Sequence, residues 1–172
     1  YLDGLEAARG SRVVSVRFKD KSHGWAHPWF TVRFADGSVY TEDFNRTGYG
    51  RGFGMQLFLR PACARCRYTS TSRPADFTLA DYWGLDEELA LPVERDKGVS
   101  MVLVNSARGQ AVFDALSPRF GQMERPLAEA VAGNPRLASP LKANPRRAAF
   151  FAAFAALPFA EVEKRFLALP SL

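Results

Sequence analysis

Polar and apolar residues alternate along 12–18 (Arg-Val-Val-Ser-Val-Arg-Phe), the pattern of a strand with one face buried. Residues 29–35 (Trp-Phe-Thr-Val-Arg-Phe-Ala) predict a second strand. Asp36-Gly37 is a tight-turn dipeptide, and 38–41 (Ser-Val-Tyr-Thr) returns as a third strand, giving an antiparallel hairpin. Residues 48–54 alternate glycine with Tyr, Arg and Phe, and this permissive backbone predicts a hinge or helix-entry loop. Its spacing matches neither a Walker nor a Rossmann phosphate loop.

Further along, 76–80 (Asp-Phe-Thr-Leu-Ala) predicts a short strand that ends at Asp81-Tyr82-Trp83-Gly84. The apolar run 99–104 (Val-Ser-Met-Val-Leu-Val) predicts a strand central to a sheet. Helices are expected from Ala107 to Leu116 and from about Leu127. The stretch 145–169 is rich in Ala and Phe. Phe150, Phe151, Phe154 and Leu157 recur at helical spacing, and Pro158 is expected to split this stretch into two helices. An aromatic stripe of this kind reads as core or interface rather than as a cofactor box. The expected class is α+β: a mixed, partly antiparallel sheet flanked by helices, with a helical C-terminal tail. The expected division is a domain over 1–143 and a tail over 144–172 packing on it.

Composition adds limits. A 172-residue chain that is 47% hydrophobic suffices for one domain with a real core, with or without an appendage. Its two cysteines are too few for a disulfide-built secreted scaffold. There is no run of about 18 apolar residues, so no membrane span is expected. The opening Tyr1-Leu2-Asp3-Gly4-Leu5-Glu6 is charged and helix-like rather than a secretory leader, and a reducing cytoplasmic setting is expected. The chain also starts on Tyr1 as though in mid-helix, so it is expected to be part of a longer protein with an N-terminal portion ahead of it.

The net charge of +5 is uneven. Residues 44–75 carry Arg46, Arg51, Arg60, Arg65, Arg67 and Arg73 with no acid, whereas 77–133 is net acidic. A basic stretch suits an anion: a cofactor phosphate, an anionic cluster or an acidic partner surface. No nucleic-acid motif accompanies it, and no nucleic-acid partner is expected.

Both cysteines lie in that stretch, in Arg60-Pro61-Ala62-Cys63-Ala64-Arg65-Cys66. A C-x-x-C pair can ligate an iron–sulfur cluster, hold zinc, or act as a redox dithiol. A dithiol calls for a strand-to-helix junction in a small βαβ unit, and Cys63 and Cys66 sit in a basic loop instead. Zinc calls for two further ligands, for which His23 and His27 are the available histidines. Lys21 and Ser22, in a Gly-containing turn, could receive a phosphate or carboxylate; so could Lys97, Gly98 and Ser100, which lead into the apolar strand. Asp81 and Trp83 stand at a strand end, where sites collect. No G-x-S-x-G, no H-E-x-x-H and no Ser–His–Asp spacing is present, so hydrolase readings are weak.

Five segments occur in order: 18–25 (Phe-Lys-Asp-Lys-Ser-His-Gly-Trp), 59–66 with the C-x-x-C, 75–84 (ending Asp81-Tyr82-Trp83-Gly84), 96–105 (Asp-Lys-Gly-Val-Ser-Met-Val-Leu-Val-Asn) and 144–147 (Asn-Pro-Arg-Arg). Together, over roughly residues 10–155, they resemble the C-terminal domain of the coenzyme F420 hydrogenase/dehydrogenase beta-subunit family. Ala80 stands where that family usually carries Gly.

The resemblance implies an oxidoreductase subunit, an iron–sulfur flavoprotein. It would carry FAD and a [4Fe–4S] cluster and exchange electrons with a hydride carrier, coenzyme F420 or an analogue. Cys63 and Cys66 would be cluster ligands, with the other cysteines in an N-terminal domain and a ferredoxin-like segment. Lys21, Ser22, Lys97 and Ser100 would face the FAD pyrophosphate, with Asp81, Trp83 and Gly98 beside the cofactor. Redox partner subunits are implied, and no catalytic residue is assigned. Two rival readings stand beside it: a non-catalytic docking module derived from the same fold, and a zinc-stabilised domain.

Overall fold

The computed structural model describes residues 1–85, 89–91 and 94–168. It divides the chain into two compact units, Tyr1–Pro61 with Lys142–Leu172, and Ala62–Leu141.

The first unit begins with helix α1 (Leu2–Arg9) and three strands, β1 (Val13–Asp20), β2 (Trp29–Phe34) and β3 (Val39–Asp43). They form an antiparallel sheet in the order β1-β2-β3, as the alternating pattern predicts. Phe30, Val32 and Phe34 point from the middle strand into a core that also buries Phe44. Tyr1, Leu2 and Leu5 of the opening helix pack onto the same core.

Residues 48–54 differ from the expected hinge: they form helix α2 (Gly48–Gly54). Glycine is a poor helix former on its own, and close packing is what holds this helix. Gly48, Gly50 and Gly52 are buried, and larger side chains there would meet Glu163, Phe44 and Phe58. Thr47 caps the helix. Its buried hydroxyl accepts from the Gly50 N–H at 2.9 Å and donates to the Phe44 carbonyl at 2.7 Å.

The C-terminal stretch returns to this unit as α5 (Arg147–Ala156), α6 (Phe159–Val162) and a π turn, Glu163–Leu167. Pro158 separates α5 from α6 as predicted. Phe150, Ala153, Val162, Phe166 and Leu167 close a second core around Leu57. Of the aromatic stripe, Phe150 is core, whereas Phe151, Phe154 and Leu157 are exposed.

The second unit holds a two-stranded antiparallel sheet, β4 (Phe77–Asp81) with β5 (Ser100–Val104). It adds α3 (Ala107–Leu116) and α4 (Leu127–Gly133). The class is α+β, but the strands make two small antiparallel sheets. The run 99–104 is correspondingly not central: among the described residues β5 pairs only with β4. One face, through Met101, packs on Ala130 and Leu137. The other carries Leu79 (72% exposed) opposite Val102 (38%), so a continuous apolar run here covers one buried and one open face.

The start of α3 is fixed to the start of β4. Ser106 caps the helix by accepting from the Gly109 N–H at 3.0 Å, and its hydroxyl also meets the Asp76 carboxylate. Arg108 pairs with the other carboxylate oxygen, and these contacts hold the Asp76 carboxyl below its ordinary range, the Arg108 hydrogen bonds most of all. No helix among the described residues is long and apolar enough to cross a membrane.

Candidate functional site

Residues 61–65, expected as a loop, form a 3-10 turn, Pro61–Arg65. Pro61 suits a helical first position because its missing N–H is not needed there. Cys63 lies within the turn and Cys66 directly after it; both thiols are partly exposed and not bonded to each other. The C-x-x-C spacing thus places one cysteine inside a tight turn and the other at its exit. The Thr69 hydroxyl donates to the Cys66 carbonyl at 2.8 Å and turns the chain back after the pair.

The nearby arginines differ in freedom. Arg67 lies over the Tyr68 ring, 5.2 Å from its centroid, and Arg73 donates to the Ser70 carbonyl at 2.9 Å. Arg65 has neither an ion pair nor a hydrogen bond among the described residues. In the other unit Arg51 is committed: it donates to the carbonyls of Leu167 and Arg46 and stands 4.0 Å from Glu163.

A metal needs converging ligands. Among the described residues no three His, Cys, Asp or Glu side chains come together to hold one. His23 stacks on Trp29 at 4.5 Å between ring centroids, and Ser22 Oγ is 3.2 Å from its Nδ1. Two free cysteines at C-x-x-C spacing fit a cluster as two of its four thiolates.

The other candidates fall in two places. Asp81 and Ser100 are register partners at the end of the β4–β5 ladder, and the Tyr82 N–H donates to the Val99 carbonyl at 2.8 Å. Lys97 and Gly98 enter the same strand end. Gly98 has φ 84° and ψ 157°, a conformation open to glycine almost alone. Trp83, 45% exposed, lies in the turn two residues after Asp81, where β4 ends. The ladder thus brings Asp81, Trp83, Lys97, Gly98 and Ser100 to one strand end. Lys97 pairs there with Glu94 at 2.9 Å, both well exposed. That pair is worth little, and an anion could displace Glu94.

Lys21 and Ser22 belong to the first unit, in a turn organised by Asp20. The Asp20 carboxylate accepts from the Ser22 N–H at 3.1 Å and the Thr31 hydroxyl at 3.2 Å, with Arg17 at 3.2 Å. The Ser22 backbone bond is the largest cause that holds its carboxyl low. The Lys21 carbonyl accepts from the Gly24 N–H at 3.0 Å, closing a polar turn.

One group at the strand end has no counterpart among the residues singled out from the sequence. The Tyr82 hydroxyl donates to Glu129 Oε1 at 2.9 Å, and the same carboxylate takes a forked contact from Arg125. Burial, then the Glu129 bond, raises the Tyr82 phenol. Arg125, through its hydrogen bonds, is the main cause that holds the Glu129 carboxyl below 4.5. The i,i+4 spacing of Arg125 and Glu129 is visible in the sequence; the 47-residue link to Tyr82 is not.

A depressed carboxyl stabilises the fold above its unfolded pKa and loses that contribution as pH falls through the folded value. Arg125→Gln should therefore lower the urea midpoint at pH 7, and the gap to the unsubstituted protein should narrow below about pH 4. Paired urea titrations at pH 7 and pH 3 check this; an equal gap at both refutes it.

Comparison with curated proteins and with solved structures gave no match. A family profile did match, over residues 3–124, and it describes the C terminus of the coenzyme F420 hydrogenase/dehydrogenase beta subunit. The match takes in the C-x-x-C turn, the Asp81–Gly84 strand end and the entry to β5. It stops before Asn144-Pro145-Arg146-Arg147, where the resemblance read from the sequence closed. With well over half of its length matched, the chain belongs to the family of C-terminal domains of the coenzyme F420 hydrogenase/dehydrogenase beta subunit.

Proposed function

We propose that this chain is the C-terminal portion of an iron–sulfur flavoprotein oxidoreductase subunit, in which Cys63 and Cys66 supply two of the four thiolates of a [4Fe–4S] cluster. The observation that carries the reading is the pair itself: two unbonded, partly exposed cysteines, one within a 3-10 turn and one directly after it, inside the family-matched residues. Ligation requires thiolates, and Arg65 and its neighbours put positive charge beside the anionic centre that those thiolates would hold. The same arginines favour electron acceptance by an anionic centre. The remaining ligands would come from a preceding N-terminal domain and ferredoxin-like segment.

FAD is the second proposed cofactor; when bound, it links a two-electron hydride carrier, coenzyme F420 or an analogue, to one-electron transfer. Ser100 and Lys97 would give it polar and cationic contacts, and the exposed Trp83 ring a surface to stack on. Gly98 keeps the backbone side-chain-free where the cofactor approaches. Lys21 and Ser22, in the first unit, are proposed as further phosphate contacts. Redox partner subunits would take or give the electrons.

The test is the full-length protein purified without oxygen. Iron, acid-labile sulfide and flavin near whole-number ratios to protein, with the matching visible absorbance, are expected. Protein free of both chromophores, or holding stoichiometric zinc, overturns the proposal.

A further inference from the structure

The motif Asn144-Pro145-Arg146-Arg147 lies beyond the family-matched residues and has no part in the chemistry proposed above. Its contacts reach back to the segment that leads into the cysteine turn. That segment, 55–60, is neither helix nor strand. It leaves α2 through Gln56, whose φ of 61° is a left-handed value usually taken by glycine at a helix end. The Gln56 N–H donates to the Phe53 carbonyl and the Leu57 N–H to the Gly52 carbonyl, each at 3.0 Å, and the Leu57 side chain is fully buried.

An irregular segment has no ladder to satisfy its carbonyls. Here two side chains of the motif do so. Asn144 Nδ2 donates to the Met55 carbonyl at 2.6 Å, and Arg147 Nε donates to the Leu59 carbonyl at 2.9 Å. Arg147 is itself fixed. Its guanidinium lies over the Phe151 ring, 4.5 Å from the centroid, and its backbone N–H donates to the Asn144 carbonyl at 3.0 Å. Arg146 is spent elsewhere, on the Arg165 carbonyl at 3.1 Å. Among the described residues no other side chain bonds the backbone of Leu59, Arg60 or Pro61. The next side-chain tie along the chain is at the exit of the turn, where Thr69 holds the Cys66 carbonyl. Cys63 and Cys66 therefore follow one anchor, Arg147 on Leu59, and are closed by a second, Thr69 on Cys66.

We propose that Arg147, with Asn144, is a positioning group for the cysteine turn. By holding 55–59 it fixes the chain where the turn begins and keeps Cys63 and Cys66 ready for the ligation proposed above, on which this inference rests. Arg147 acts through the backbone of Leu59 and not on the cluster itself. Partners that orient metal ligands without touching the metal change its retention by about ten- to a hundredfold.

The test follows the full-length protein, purified without oxygen, in the ferrous chelator bathophenanthroline disulfonate. The decay of the cluster absorbance that depends on Cys63 and Cys66 is recorded. Arg147→Met, which keeps the length but has no donor, should speed that decay about tenfold. Arg147→Lys keeps a donor for the Leu59 carbonyl and should restore most of the lifetime. Arg51→Met is the control. It removes an arginine that bonds two other carbonyls of the same unit, so it should lower the urea midpoint without shortening the cluster's lifetime. An unchanged lifetime in Arg147→Met, an equal shortening in Arg51→Met, or a lysine no better than methionine overturns the proposal. A second readout needs no cluster. In protein stripped of iron, iodoacetamide should label Cys63 at least about threefold faster in Arg147→Met, with Cys66, still held by Thr69, little changed. Equal labelling of Cys63 with and without Arg147 contradicts the proposal. If the unsubstituted protein carries no iron, the cluster reading fails while the labelling still decides the positioning role. If circular dichroism shows that Arg147→Met does not fold, Asn144→Ala takes its place with the same outcomes.

Discussion

Gly50→Ala should destabilise the protein by about 3 kcal/mol or more, although alanine is the better helix former. In an exposed helix the exchange would gain roughly 1 kcal/mol. Here the new Cβ would overlap the Phe44 carbonyl oxygen and stand 2.7 Å from its carbon. Both are backbone atoms, so no rotamer change relieves the clash. Helix α2 must move from the 3-10 turn Phe44–Arg46, and that movement breaks the Thr47 cap and disturbs the buried Phe44 ring. Overpacking of this kind costs about 1–3 kcal/mol even when side chains can yield. With a urea slope near 2 kcal/mol per molar, the midpoint should fall by roughly 1.5 M or more. Gly54→Ala is the control: no atom outside the helix lies within 4 Å of its new Cβ, so it should be neutral or slightly stabilising. Equal midpoints for the two variants would show that α2 is not held by close packing.

Gly133→Ala should have a comparable effect on the second unit, and it reaches the candidate site. Gly133 ends α4 directly against the strand end. A Cβ there would overlap the Trp83 carbonyl oxygen, stand 2.7 Å from its carbon and reach 3.4 Å from Gly84 Cα. Again only backbone can give way. We expect a loss of about 3 kcal/mol, read as a lower urea midpoint. We also expect the Trp83 emission maximum to shift while the folded state persists, since the indole must move with its carbonyl. On the proposed function, bound flavin should fall with it. An unchanged midpoint and emission would refute the close approach of α4 to the Trp83–Gly84 turn.

Much of the fold was legible because local pattern and tertiary need agreed. The alternation at 12–18 and 29–35 and the Asp36-Gly37 turn specify a half-buried antiparallel sheet, and that sheet forms. Helix α3 spans Ala107–Leu116 as its pattern predicts, with Ser106 as the cap. Pro158 ends α5 because a proline N–H is missing where the helix would need one.

Two elements misled for physical reasons. Glycine spacing at 48–54 signals flexibility to any propensity argument, yet these glycines are small so that a helix can be buried against its neighbours. The run 99–104 looks like a strand covered on both faces, and its open face carries Val102 opposite Leu79. An apolar composition does not say where the covering partner comes from.

The candidate site divides in the same way. Asp81, Trp83, Lys97, Gly98 and Ser100 were legible because each sits at the end of a strand that could be read locally, and antiparallel pairing brings the ends together. The Tyr82–Glu129–Arg125 group depends on α4 packing beneath β4, and no local signal encodes it. Nor could spacing alone show that Arg51 is spent on Leu167 and Arg46 while Arg65, beside the cysteines, has no ion pair or hydrogen bond among the described residues.

The most direct measurement is iron content in the full-length protein with and without the two thiols. The unsubstituted protein and the Cys63→Ser/Cys66→Ser variant are purified together without oxygen, and bound iron and sulfide are counted per chain. Cluster ligation by this pair predicts close to four irons and four sulfides per cluster in the former. It predicts loss of most of one cluster in the variant, with secondary structure by circular dichroism unchanged. Equal iron and sulfide in both proteins would contradict it.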